Sequence, residues 1–252
     1  MTVSSWREKI SVHIEGRQED VEDRSGRTAF GRLANDLRSV AIGSQEQKDA
    51  AKAVEELLDT YVSSNNVQYL DHLSQLIALA EIKSDALSLR AYQVWGNADL
   101  APEIRVSLLA ILCALGRRLT PNELDKETSV RELAAPVWID AWAQSHSIQY
   151  WADQIPELLK TGQLKPAELF ARLPSWYQRF GDDVLVQVLG WRELIPLGQR
   201  STFDNWLKDR LPQQVIGAPM ANLSDLDMQF LDVAYTSRAS KLNGQSHPDY
   251  AE

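Results

Sequence analysis

Residues 136–156, PVWIDAWAQSHSIQYWADQIP, hold the densest group of side chains that could do chemistry in this chain. Two carboxylates, Asp140 and Asp153, and the imidazole of His146 are groups that act as general acids or bases. Three tryptophans stand among them and could form the walls of an aromatic cage around a ligand. The alternative is that the tryptophans are core residues of consecutive helices, and the spacing distinguishes the two interpretations.

The spacing favours a helical core. Two apolar stripes with steps of one, three and four residues include all three tryptophans: Ala135, Trp138, Ile139, Trp142 and then Ile148, Trp151, Ile155, Leu158. Asp140 lies roughly 200° around the helix from Trp138, and Asp153 is also off its stripe. Burying a large aromatic side chain contributes about 2–3 kcal/mol, which is reason enough for the tryptophans. His146 falls in the polar break SHS and is predicted at a helix end.

The stretch FGDD at 180–183 resembles the turn that carries metal-binding aspartates in template-directed polymerases. That turn requires a strand on each side, whereas the segments around FGDD have helical periodicity. Carboxylates favour the first turn of a helix because they interact with free N–H groups and with the helix dipole. Asp182 and Asp183 are therefore predicted to begin a helix.

Signatures of metal, cofactor or nucleophile chemistry are missing from the sequence. The four histidines, at 13, 72, 146 and 247, have no metal-ligand spacing, and no nucleotide-binding glycine motif occurs. Cys113 lies in the apolar run VSLLAILCAL and is predicted to be a small core residue. We therefore expect no metal, no cofactor and no catalytic residue, and a conventional small-molecule enzyme is disfavoured.

Residues 191–211, WRELIPLGQRSTFDNWLKDRL, interleave aromatic with basic side chains, a combination that binds nucleic-acid strands. The aromatic and basic residues are Trp191, Phe203, Trp206, Arg192, Arg200, Lys208 and Arg210. Three carboxylates, those of Glu193, Asp204 and Asp209, nearly cancel this charge. A solvated helix over a core is therefore favoured over a nucleic-acid surface.

The chain as a whole is acidic, with a formal net charge of −9 over 252 residues. Residues 1–45 are balanced, 46–211 carry about −6 and 212–252 about −3. An acidic body repels a phosphate backbone and suits a basic protein partner. No apolar run has the length of a membrane span or signal peptide, so we expect a cytoplasmic protein without a membrane segment.

Helical periodicity dominates from residue 27 onward and predicts an all-α protein of nine to eleven helices. Turn residues between helices of similar length favour stacked antiparallel pairs, either solenoid-like or an irregular bundle. We predict a single helical domain over 27–239, a flexible N-terminal arm over 1–26 and a flexible C-terminal tail over 240–252. The β-like run VLVQVL at 184–189 is too isolated to indicate a sheet.

Three segments share an apolar–arginine phrase followed by an apolar helical face. They are LSLRAYQVW around Arg90, PEIRVSLLAILCAL around Arg105 and TSVRELAAPVWIDA around Arg131, and the last two align without gaps. This phrase resembles the helix signature of HEAT and armadillo-like repeats, in which helix pairs stack into a curved solenoid. The resemblance implies such an architecture over residues from about 80 to 160.

The preferred functional hypothesis is a non-enzymatic protein–protein interaction module, acting as an adaptor, regulator, inhibitor or complex subunit. Its partner would be a protein, and a basic one suits the charge. The candidate partner-binding residues are Trp138, Trp142, Trp151, Trp191, Arg192, Arg200 and Trp206. The alternative is a nucleic-acid-binding protein, such as a helical-repeat DNA glycosylase with an aromatic-lined concave face. The sequence gives no indication of the oligomeric state.

Overall fold

Most of the helices expected from the periodicity between residues 28 and 208 are present in the computed structural model, which describes residues 1–16 and 28–208. Every regular element within these ranges is helical, so the predicted all-α class is confirmed. None of these helices is long and apolar enough to cross a membrane. The chain divides into two compact units, Met1–His146 and Ser147–Glu252. The boundary falls inside the range 27–239, for which the sequence predicts a single domain.

The first unit contains nine α-helices in the described residues. They are α1 Val3–Glu15, α2 Ala29–Ser39, α3 Gln45–Ser63, α4 Val67–Ala80, α5 Asp85–Trp95, α6 Pro102–Ala114, α7 Pro121–Asp125, α8 Thr128–Leu133 and α9 Ala135–Ser145. Polar N-cap residues precede many of these helices. For example, the side chains of Thr28, Ser44 and Ser84 each accept a hydrogen bond from a backbone N–H in the first turn of the helix that follows. Pro102 begins α6 and Gly116 follows its end, positions that suit a residue without an N–H and a residue without a Cβ.

These helices pack as pairs in two layers. Helices α1 and α2, α3 and α4, α5 and α6, and α8 and α9 pack as successive pairs. Helices α1, α3 and α5 are neighbours in one layer, and α2, α4, α6 and α9 are neighbours in the other. The short turn Ser64–Asn66 makes α3 and α4 antiparallel, as predicted. The arrangement is compatible with a helical-repeat architecture.

Contacts between like ends show that neighbours within a layer run parallel. The amino group of Met1 lies 2.9 Å from Glu46 Oε1, which joins the starts of α1 and α3. The Tyr61 hydroxyl donates to Glu15 at 3.5 Å, which joins their ends. In the other layer, Arg38 at the end of α2 donates to the carbonyl of Leu79 near the end of α4, at 2.8 Å. Successive helix pairs are therefore repeated in the same orientation.

The alignment of Arg105 with Arg131 does not extend over a whole helix. Arg105 lies on the continuous helix α6, whereas Arg131 lies on the short helix α8. Ala134 separates α8 from α9 with φ −147° and ψ 63°, and Pro136 then occupies the first turn of α9. Proline lacks an N–H and is favoured at a helix start, so it begins a new helix at this point.

The N-terminus differs from the predicted flexible arm over 1–26. Residues Val3–Glu15 form α1, capped by the Thr2 side chain, and Trp6, Ile10 and Ile14 are buried on one face. The steps of four residues place these three side chains together, but polar residues dominate the segment and obscure the stripe. Residues 17–27, the last part of the predicted domain from 209 to 239 and the predicted tail 240–252 lie outside the described residues.

The second unit is described from Ser147 to Lys208. Its helices are α10 Gln154–Lys160, α11 Pro166–Phe180, α12 Asp182–Trp191 and α13 Leu197–Lys208, with 3₁₀ turns at Ile148–Tyr150 and Arg192–Leu194. Asp182 and Asp183 occupy the first turn of α12, which confirms their prediction as helix-start residues. The run VLVQVL lies within the same helix. Aromatic rings fill the core of this unit: the centroid of Trp151 is 4.7 Å from Trp176, and that of Trp176 is 6.4 Å from Trp191.

Candidate functional site

The tryptophans of residues 136–156 are core residues. Trp138, Trp142 and Trp151 are 4%, 3% and 0% exposed, which matches the apolar stripes. In the first unit, Trp138 Nε1 donates to the carbonyl of Leu124 at 3.0 Å, and its ring lies 5.8 Å from Trp142. In the second unit, Ile148, Trp151, Ile155 and Leu158 are all fully buried, although the helix predicted through them begins only at Gln154. The rings therefore pack between helices.

The acid–base candidates in the same stretch have structural positions. His146 is the C-cap of α9, as predicted, and its Nε2 donates to the carbonyl of Leu119 at 2.8 Å. This bond ties the end of α9 to the loop after α6. Asp140 is half-buried on α9, and Asp153 is exposed immediately before α10.

The pKa of the Cys113 thiol is raised, mainly by burial and in addition by the nearby charge of Asp140. This cysteine is therefore a weak nucleophile.

The part of the aromatic and basic stretch 191–211 that the structure describes contains an internal network, whereas Asp209 and Arg210 lie outside the described residues. Trp191 is 3% exposed, and Trp206 is half-buried with its ring 6.1 Å from Tyr177. The guanidinium of Arg192 makes two bonds to Asp204, of 2.9 and 3.1 Å. Such bidentate pairing occupies the donors that a phosphate would use.

Arg200 closes the loop between α12 and α13. It donates to the carbonyls of Ile195 and Glu193, each at 2.9 Å, and it lies 3.1 Å from the Glu193 carboxylate. The structure thus brings Arg192 and Arg200 together through one acidic neighbour, Glu193, with which both form ion pairs. Their contacts hold the loop in place.

An open cleft in the first unit, which has no clear signal in the sequence, is a better candidate for a binding surface. It lies where the pair α5–α6 meets the turn between α7 and α8, and its volume is about 790 Å³. We call it the α5–α8 cleft. Its lining combines aromatic, amide and charged side chains, including those of Tyr92, Gln93, Trp95, Arg105, Lys126 and Glu127. Gln93 and Lys126 are exposed and could contact a partner, whereas Trp95 and Glu127 are buried.

Arg105 organises one wall of the α5–α8 cleft. Its Nε donates to Glu127 Oε2 at 3.0 Å, and its Nη2 donates to the other oxygen of the same carboxylate. Its Nη1 donates to the carbonyls of Trp95 and Asn97, at 3.1 and 3.0 Å. The guanidinium carbon also lies 5.5 Å from the centroid of the Trp95 ring. One side chain therefore joins the end of α5, the start of α6 and the turn before α8.

Glu123 organises another part of the same cleft. Its Oε2 accepts bonds from the Thr120 N–H and hydroxyl, at 2.6 and 2.7 Å, and its Oε1 accepts from the Tyr92 hydroxyl. Desolvation by itself would raise the pKa of Glu123, but the bonds from Thr120 and Tyr92 together hold it below its ordinary value. The bond to Glu123 is also the main reason that the pKa of Tyr92 is raised.

Tyr92→Phe is expected to lower the free energy of unfolding by about 1 kcal/mol at neutral pH, because a bond to a charged carboxylate is lost. Since the pKa of Glu123 is depressed in the folded state, this stabilisation is present above the carboxyl's ordinary pKa and is lost as the pH falls. Urea unfolding of both proteins at neutral and acidic pH measures the difference. A gap that stays constant as the pH falls would contradict the assignment.

Only part of this cleft had a signal in the sequence. Arg105 belongs to the repeated phrase, but its partner Glu127 lies 22 residues away.

Over the described ranges, no group of three or more His, Cys, Asp or Glu side chains is placed to hold a metal ion. Comparisons of the chain with protein-family models, curated proteins and solved structures each find no match. Fold and surface together define an all-α protein with stacked helix pairs.

Proposed function

We propose that this protein is a non-enzymatic interaction module, whose stack of helix pairs binds a partner protein. The observation that carries the proposal is the repeated, parallel arrangement of the pairs in Met1–His146. Stacked helix pairs form an extended and continuous surface, which is the geometry used by helical-repeat proteins to bind other chains. A finer assignment to HEAT or armadillo-like repeats is part of this proposal.

Ion pairs between neighbouring helices support a rigid surface. Arg7 of α1 lies 3.7 Å from Glu56 of α3, and Arg90 of α5 donates to Asp59 of α3 at 2.9 Å. Each pair is exposed and contributes little to stability, but both join helices that are neighbours in one layer. A preformed surface avoids the entropy cost of ordering on binding.

The α5–α8 cleft is the proposed centre of the interface. It is open and lined by an aromatic floor with polar groups at the edge, a combination that is typical of protein interfaces. The net charge of −9 favours a basic partner. Among the residues proposed from the sequence, Trp206 and Arg200 keep part of their side chains exposed and remain candidates for secondary contacts.

Gln93→Arg is expected to reduce recovery of the partner about five- to tenfold, because it adds a positive charge to a surface that faces a basic protein. The measurement is affinity capture of the full chain from its native cell extract at moderate salt, with quantification of stoichiometric proteins. Gln68→Arg is the matched control, since Gln68 is also exposed but lies on α4, outside the cleft.

Three outcomes would contradict the proposal in different ways. Recovery of no stoichiometric protein removes the interaction function itself. Equal losses for Gln93→Arg and Gln68→Arg keep a protein partner but remove the cleft as its centre. Tight binding of duplex or single-stranded nucleic acid with a steep salt dependence would replace the proposal with the nucleic-acid alternative.

A further inference from the structure

A second depression in the first unit has a charge opposite to that of the whole chain. It is an open depression with a volume of about 620 Å³, lined by the loop after α4, the first turn of α5 and the loop after α6. Its charged lining residues are Lys83, Arg117, Arg118 and Asp85. Three cations thus face one carboxylate, in a chain whose net charge is −9. We call this feature the basic depression.

The fold explains why these residues meet. Helices α4 and α6 are neighbours in one layer, so the loops that follow them lie side by side. Gly116 has φ +74°, a left-handed conformation that glycine adopts without strain and that ends α6. The next N–H, that of Arg117, donates to the carbonyl of Leu112 at 2.9 Å. The backbone of the two consecutive arginines is therefore fixed relative to the end of α6.

The basic side chains of the basic depression are less occupied by ion pairs than many other basic side chains of this unit, and so they are more available to bind an anion. Basic side chains elsewhere in the unit form ion pairs: Arg7 with Glu56, Lys9 with Asp36, Arg38 with Glu81, Lys52 with Glu55 and Arg90 with Asp59. Lys83 and Arg118 are exposed, and neither has a hydrogen bond or ion pair to any described residue. Two charged groups therefore face solvent with all their donors free.

The third cation is held in position by an aromatic ring. The guanidinium carbon of Arg117 lies 4.3 Å from the centroid of the Tyr92 ring. Stacking orients the plane of a guanidinium and leaves its N–H groups at the edge free to donate. Ser84 adds a hydroxyl to the lining; its oxygen accepts from the N–H of Leu87, so its own hydrogen can still be donated.

We propose that the basic depression binds a small phosphate-bearing compound, a site that goes beyond the proposed partner binding and does not depend on it. Arginine forks match the geometry of phosphate oxygens, and a lysine adds a mobile third charge. The volume is in the range of small-molecule sites. A small anion interacts only with the local cations, whereas a long nucleic-acid strand would also meet the acidic body.

Calorimetric titration of the full chain with pyrophosphate tests this site. We expect saturable binding at low salt, and a loss of affinity of about tenfold or more in both Lys83→Glu and Arg118→Glu, because each removes one charge-assisted contact and adds repulsion. Lys48→Glu makes the same change of net charge at an exposed position on α3, outside the depression, and is expected to stay within about twofold of the unchanged protein. Circular dichroism of the three variants is the control that tests whether they keep the helical fold.

The possible results distinguish a failure of the phosphate-binding proposal from a failure of the proposed function. Absence of pyrophosphate binding at millimolar concentration overturns the proposal, and so does an equal loss in Lys48→Glu, which would indicate a general charge effect. A single-stranded oligonucleotide that binds more tightly than pyrophosphate, and loses affinity in Lys83→Glu and Arg118→Glu, would overturn the assignment to a small compound. Loss of partner recovery with intact pyrophosphate binding would contradict only the proposed function.

Discussion

Arg105→Ala is expected to lower the free energy of unfolding by about 3–5 kcal/mol, because it leaves a buried carboxylate without its cation. Glu127 is 3% exposed and has Arg105 as its ion-pair partner. The same change removes the donors to the carbonyls of Trp95 and Asn97. Urea unfolding followed by circular dichroism measures the effect.

Two control variants separate the buried pair from ion pairs in general. Arg90→Ala removes an exposed pair with Asp59, and we expect it to cost at most about 1 kcal/mol. The double replacement of Arg105 by Met and Glu127 by Leu is expected to recover most of the lost stability, since no unpaired charge then remains buried. If Arg105→Ala stays within about 1 kcal/mol of the unchanged protein, the role assigned to Arg105 is wrong.

Trp151→Ala is expected to destabilise the second unit by about 3–5 kcal/mol, the range for loss of a large buried aromatic. The side chain is fully buried, and its ring lies 4.7 Å from Trp176 and 6.0 Å from Phe180. Alanine leaves a cavity between these rings. Thermal unfolding gives the loss of stability, and near-ultraviolet circular dichroism reports the loss of ordered aromatic packing.

The neighbouring aromatic residue provides the matched control. Tyr150 precedes Trp151 directly but is 61% exposed, so Tyr150→Ala is expected to change stability by no more than about 0.5 kcal/mol. Comparable losses in the two variants would mean that the core of this unit is not centred on Trp151. Trp151→Phe, which keeps an aromatic ring, is expected to fall between them.

Local periodicity was sufficient to predict the all-α class and the buried face of many helices, although the described residues contain thirteen α-helices where nine to eleven were predicted. The steps that join Trp138 to Trp142 place both rings on one face of α9, and both are buried. Phe30, Leu33 and Leu37 are spaced three and four residues apart and are buried together on α2 in the same way. These predictions succeed because a helix fixes the relation between residues three and four apart, whatever packs against it.

Features that depend on tertiary arrangement were not predictable in this way. The ion pair of Arg105 with Glu127 and the meeting of Lys83 with Arg118 both require knowledge of which helices are neighbours and how they run. The N-terminal helix was missed because only three of its side chains are buried among polar residues. The break at Ala134 was missed because the sequence around it continues a helical stripe, although Pro136 marks a new start.

The layered packing of Met1–His146 also has a consequence for the way the protein is made. Among the described helices of this unit, the extensive contacts are with helices no more than three places away along the chain. Each new helix pair can therefore dock on the pair before it while the ribosome is still synthesising the next pair, because the contacts that it needs are close in the sequence. Because contacts are made between helices close in the sequence, a helix pair could be gained or lost at one end during evolution while the packing of the other helices is kept.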